Sequence, residues 1–190
     1  MYLGGMRKVA MLLLLALPAL GQGIPLTTTV HEALLEALAG PAGAYQSYAF
    51  YARVLAAKGP VEPYHRFLEG ERAKVERLKA LLTAYGASFP QANPYLGTTA
   101  VPRELEATAR LALSLEVRSL YLEKRLGRLF ADYDDLKTAF ARFKIADFVQ
   151  ARLLRRAIQS GGTLPEDALR AKAAGLGPAC VYAFGAGLCP

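Results

Sequence analysis

The chain has no tryptophan, only two cysteines and only two histidines in 190 residues. His31 and His65 lie far in sequence from Cys180 and Cys189, so a structural zinc cluster fails on ligand count alone. No Gly-rich phosphate loop, GxSxG elbow or HExxH helix occurs anywhere. The common nucleotide-binding, serine-hydrolase and zincin signatures are therefore absent. Aromatic residues do not interleave with a basic run, which removes the stacking platform that nucleic-acid binding needs. What is present is a globular composition, 53% hydrophobic and 21% charged, too apolar for disorder and long enough to bury a core.

The N-terminus reads as an address. Arg7 and Lys8 precede an unbroken apolar run from Val9 to Leu20, and Ala19-Leu20-Gly21 has the small-x-small pattern of a cleavage site. Such a run rises about 18 Å as a helix, short of the ~30 Å of a hydrocarbon core. The next basic residue is Arg53, so no positive stop-transfer flank follows. Residues 1–21 are expected to be a secretory signal, with an uncleaved anchor as the alternative and Met6 as an alternative start. Losing them takes Arg7 and Lys8 off the net charge of +7 and leaves +5. The remaining bases alternate with acids, as in Glu71-Arg72-Ala73-Lys74 and Glu123-Lys124-Arg125. That mixture reads as solvated helix surface with little pull on anionic partners. In an oxidising compartment Cys180 and Cys189 are expected to pair as a disulfide, stapling the tail by about 2–3 kcal/mol.

Between residues 28 and 160 the apolar period is that of helices, and four are expected. The first covers about 30–57 with an interruption at Gly40-Pro41, and the second about 62–85, ending at Gly86. A Pro- and Gly-containing connection over 87–102 leads to the third at about 103–130, and Asp132-Tyr133-Asp134 turns into the fourth, which runs to about 159. Thr163-Leu164-Pro165-Glu166 reads as a capping box opening a short helix in the tail, 161–190. Two short turns make two antiparallel hairpins. The long middle link can span about 50 Å, enough to cross the length of a bundle and start the third helix at the far end. The expected fold is all-α: a four-helix bundle of two hairpins joined by a long crossover.

The inward stripes carry the functional signal. Spacing by four and three picks out Tyr64, Phe67, Glu71, Lys74, Leu78, Leu81 and Tyr85 on the second helix. On the fourth it picks out Leu136, Phe140, Phe143, Asp147, Gln150, Leu154 and Ala157. Each stripe is apolar except at its middle, where an acid is followed three residues later by another polar group. Glu116 interrupts the third helix between Leu113 and Leu120 in the same way. A buried, unpaired carboxylate costs several kcal/mol, so these groups must pair, ligate a metal or reach water.

Leu34-Leu35-Glu36-Ala37-Leu38-Ala39-Gly40, Ala44, Tyr48 and the run from Glu71 to Leu78 resemble rubrerythrin and its ferritin-like relatives. Tyr85-Gly86, Pro90, Asn93-Pro94-Tyr95, Gly97, Pro102, Leu105 and Glu116 resemble the DUF2202 branch of bacterial ferritin-like proteins more closely. The resemblance spans about 32–160 and implies a di-metal centre with Glu-x-x-His on the second and fourth helices and one Glu on each of the others. Here Glu71 and Glu116 match, while Lys74 stands for the second-helix His. Asp147 and Gln150 stand for the fourth-helix Glu and His, and Gly40-Pro41 falls where the first-helix acid belongs. Three of six ligand positions keep a carboxylate and none keeps an imidazole.

An ammonium has no lone pair to give a metal and is drawn to carboxylates. Lys74 is therefore expected to take the metal's place among Glu71, Glu116 and Asp147, with Tyr45 or Tyr48 supplying hydroxyl hydrogen bonds. In the bland alternative Lys74 and Gln150 snorkel to the surface and form ordinary ion pairs. The expected object is an exported protein with a degenerate di-metal centre, no cofactor, and a binding or structural role with an unidentified protein partner. The alternative is an iron- or manganese-binding oxidase or metal store using Glu71, Glu116 and Asp147. Exposure of Val181, Tyr182 and Phe184 would mark the tail as a docking surface.

Overall fold

Thr27 caps the first helix, its hydroxyl accepting from the Val30 N–H, in a computed structural model that describes residues 26–190. The signal read at 1–21 lies outside the described residues. Where one interrupted helix was expected there are two, α1 (Thr28–Ala39) and α2 (Ala44–Lys58). Pro41 has no N–H to donate and drives Gly40 out of the helical region, to φ −70° and ψ 170°. The third helix, α3 (Tyr64–Ala84), ends in a Schellman motif. Gly86, at φ +67°, donates to Thr83 O, and the next residue, Ala87, donates to Leu82 O, both at 2.9 Å.

Helices α4 (Leu105–Leu126) and α5 (Asp134–Gln159) follow. Helix α4 stops short of the expected end, and Phe130 in the turn packs its ring 4.6 Å from that of Phe140. In the tail, α6 (Glu166–Ala173) and α7 (Cys180–Phe184) complete the helices. Thr163 does not cap α6 as expected. Pro165 takes the cap position, and Glu166, at the first helical position, turns to Arg170 and Arg66 instead. No strand occurs among the described residues, and none of their helices is long and apolar enough to cross a membrane.

Helix α4 packs along α5, and α2 along α3. The Tyr64 hydroxyl at the start of α3 donates to Gly162 O at 2.6 Å and Leu105 O at 3.3 Å, and Lys58 Nζ donates to Arg103 O at 2.6 Å. The end of α2, the starts of α3 and α4 and the end of α5 thus lie together. At the other end, Tyr85 donates to Asp135 and Tyr45 to Pro90 O, both at 2.7 Å. The chain from 85 to 104 is tied down there by Asn93 Nδ2 on Tyr45 O and by Tyr95 on Ala39 O. The core has two apolar parts. One gathers Phe50, Tyr51, Tyr64 and Phe67, and the other Leu34, Leu38, Phe140 and Phe143.

The tail is part of this core. Cys180 and Cys189 are disulfide-bonded, with Cα atoms 5.7 Å apart. Phe184 is fully buried and stacks on Phe67, and the half-buried Tyr182 meets Phe143 edge-on at 4.8 Å between ring centroids. The expectation of a docking surface at Val181, Tyr182 and Phe184 is therefore corrected for its aromatic residues: Tyr182 and Phe184 pack on their own protein and Val181 is half-buried, because α3 leaves a seat for α7. That seat is Gly70. A Cβ there would lie 2.8 Å from Ala183 C and 2.9 Å from Ala183 O. Alanine normally stabilises a helix interior over glycine by about 1 kcal/mol. Gly70→Ala is expected to do the reverse, lifting α7 and lowering stability by about 1–3 kcal/mol in a urea titration. A midpoint at or above the parent's would refute the seat.

Candidate functional site

Where the two apolar parts of the core meet, four helices turn polar groups inward. Glu71 and Lys74 lie three residues apart on one face of α3, and Asp147 and Gln150 do the same on α5. Glu116 and Glu123 sit two turns apart on α4, and Tyr51 faces them from α2. Glu71, Glu116, Asp147 and Gln150 have no exposure, and Lys74 only 2%. Lys74 Nζ contacts Asp147 Oδ1 directly, donates to Glu71 Oε1 at 3.0 Å and lies 3.8 Å from Glu123 Oε1. Tyr51 donates to Glu116 Oε1 at 2.5 Å. The second oxygens of all four carboxyls are buried without a hydrogen-bond partner.

Fully ionised, four carboxylates and one ammonium leave three negative charges in excess in a dry interior. Burial opposes that state strongly, and protonation is the available relief. Burial pushes the Glu71 carboxyl up to about 7, Lys74 opposing and Asp147 adding to the rise. Burial raises Glu116 well above the usual carboxylate range, reinforced by Asp147 and Glu71, and Glu123 likewise, with Asp147 the largest charge contribution. For Lys74 burial favours the neutral amine, yet Asp147, Glu71, Glu123 and Glu116 outweigh it and hold the proton more tightly than in water. Burial and the facing Glu116 raise the Tyr51 phenol. Burial thus favours the protonated form of Glu71, Glu116 and Glu123 beside one ammonium, in a cluster shut off from solvent.

The five residues read from the stripes, Glu71, Lys74, Glu116, Asp147 and Gln150, are thus brought together, and the Lys74 amine faces inward. Gln150 also reaches out of the cluster: its Nε2 donates to Ala183 O at 3.0 Å and fastens α7. Two residues were missed. Glu123 stands seven after Glu116 between the buried Leu122 and Leu126, a heptad signal masked by the adjoining Lys124-Arg125. The hydroxyl on Glu116 comes from Tyr51, whereas Tyr45 is spent on the linker and Tyr48 is only partly buried. The Pro41 break makes α2 a separate helix, and its own four-three stripe of Ser47, Tyr51 and Val54 carries that signal. His31 is 3.3 Å from Ser88 O and His65 is 3.4 Å from Glu62, and neither joins the cluster.

Comparison of the chain with protein-family models, with curated proteins and with solved structures returned no match. The site must be read from its own donors. One oxygen each from Glu71, Glu116 and Asp147 lies within 4.8 Å of the others, a spacing that a cation could bridge. Lys74 spoils the fit, since its ammonium binds two of those three carboxylates and repels a divalent ion from the space between them. No imidazole or thiolate among the described residues joins the set, so the donors do not fit an iron or manganese pair with Lys74 in place.

Proposed function

We propose that this is an exported, rubrerythrin-related ferritin-like four-helix bundle of the DUF2202 type in which a lysine has replaced the di-metal centre. Its role is that of a binding or structural scaffold for a protein partner. The contact of Lys74 with both Glu71 and Asp147 carries the reading. The hydrogen bonds that gather the start of α3, the start of α4 and the end of α5 support hairpins α2/α3 and α4/α5 joined by a crossover. Three of the four inward carboxyls, Glu71, Glu116 and Asp147, stand at positions where the resemblance implies acids. With Glu71 and Asp147 turned to an ammonium and Glu116 to the Tyr51 hydroxyl, these carboxylates are engaged by the protein's own donors rather than offered to a metal.

Purified protein dialysed against iron and manganese salts is expected to carry neither on elemental analysis, while Lys74→His gains affinity for them. The second reading, an iron- or manganese-binding oxidase or store, draws on the close spacing of Glu71, Glu116 and Asp147. Near-stoichiometric metal in the parent protein, lost on Glu71→Ala, would establish it and overturn the scaffold.

A further inference from the structure

The even mixing of charges expected from the sequence fails on α4 and α5 beyond their first turns, where Glu106, Asp134 and Asp135 are exposed. Over residues 107–131 and 136–160 the acids are Glu116, Glu123 and Asp147, and all three are buried in the cluster. The bases of those stretches point the other way. Ten of them, from Arg110 and Arg118 on α4 to Arg155 and Arg156 on α5, are exposed, and Arg142 is half-exposed. Of these bases only Arg110, with Glu106, and Arg125, with Glu36, form an ion pair among the described residues. The outer face of this hairpin is positive along some 30 Å of helix.

The same face holds the exposed apolar side chains. Of six large hydrophobic residues exposed among the described residues, Leu111, Tyr121, Leu129, Ile145 and Phe148 lie on α4, α5 or the turn between them, Tyr121 being 72% exposed. Between the helices, Val117, Leu120, Tyr121, Ile145 and Phe148 line a groove of about 440 Å³, with Lys124 and Lys144 also on its wall.

We infer that the α4–α5 face docks on the surface of an anionic lipid bilayer, its lysines and arginines on the headgroups and Tyr121, Ile145 and Phe148 among the acyl chains. Positive charge whose only exposed acids on these helices, Glu106, Asp134 and Asp135, sit in their first turns selects a negative partner. The apolar groove asks for hydrocarbon beside that charge, which a bilayer supplies and a nucleic-acid backbone does not. A second copy on this face would set like charges against each other, and a single amphiphile would cover little of a strip this long. The inference is independent of whether the buried cluster holds a metal.

Vesicles of phosphatidylglycerol mixed with phosphatidylcholine, compared with phosphatidylcholine alone, test it by co-sedimentation of the purified protein. Binding is expected only with the anionic lipid, falling as salt is raised. Lys124→Glu/Lys144→Glu and Ile145→Ser/Phe148→Ser, all at exposed positions and checked for parental helicity and melting, are each expected to weaken it at least about tenfold. Equal binding to phosphatidylcholine, no binding to either, or unchanged binding by both variants would overturn the inference. So would displacement by duplex DNA, or a shift from dimer to monomer in Ile145→Ser/Phe148→Ser without vesicles, which would assign the face to those occupants.

Discussion

Lys74→Met is expected to lower stability at neutral pH by about 3–5 kcal/mol, the cost of stripping the partner from buried charge. For a chain of this size that is a fall of about 6–20 °C in melting temperature. The methionine fills much of the same volume, so packing is not what is lost. What is lost is the one cation among the described residues that touches Glu71 and Asp147. Glu71, already raised to about 7 by burial, can bind a proton instead, so the deficit is expected to shrink as the pH is lowered toward 5. A cavity would not behave that way, because its cost does not depend on protons. Melting curves of parent and variant, near neutral and in mild acid, separate the two. A small, pH-independent loss would mean that the amine is not the element that balances the cluster.

The second large effect concerns the parent protein. A carboxyl whose value is higher folded than unfolded keeps its proton in the native state at a pH where the unfolded chain has released it. Folding is then favoured by protons, and stability falls as the pH rises from the unfolded to the folded value. For Glu71 that window runs from 4.5 to about 7, and its width corresponds to about 3 kcal/mol. Burial raises Glu116 and Glu123 in the same direction and extends the slope to higher pH. Lys74, held above its ordinary value, contributes stability that is complete below that value and lost only in strong alkali, so it adds no slope here. Urea midpoints are therefore expected to be higher at about pH 5 than at about pH 8, opposite to a protein whose carboxylates are ionised and paired. A midpoint that rises toward pH 8 would show the carboxyls to be ionised in the fold.

How far the site could be read from sequence varies from residue to residue. Glu71, Lys74, Asp147 and Gln150 were legible because a polar pair at three-residue spacing, flanked by Phe67 and Leu78 or by Phe143 and Leu154, has only the core to face. Glu123 was not, because Lys124 and Arg125 beside it look like the same solvated surface. Each residue turns about 100° around the helix, so Glu123 goes in while its two neighbours go out. Tyr51 was missed for a related reason: Pro41 restarts the helix and moves the inward stripe of α2 away from Tyr48.

By itself the amino-acid sequence determined the all-helical chain, the main helix breaks at Gly40-Pro41, Lys58-Gly59-Pro60 and Gly86, and the polar residues in the middle of apolar stripes. These are local properties, set by backbone sterics and by a repeat of a few residues. Only the tertiary structure decided that four carboxyls converge on one lysine, and that Gly70 gives the tail a seat against α3. It also decided that Glu116, Glu123 and Asp147 lie inside, leaving the outer face of α4 and α5 beyond their first turns to basic and apolar side chains. Those outcomes depend on which faces of distant helices meet, and burial then fixes whether a charge is solvated, paired or protonated.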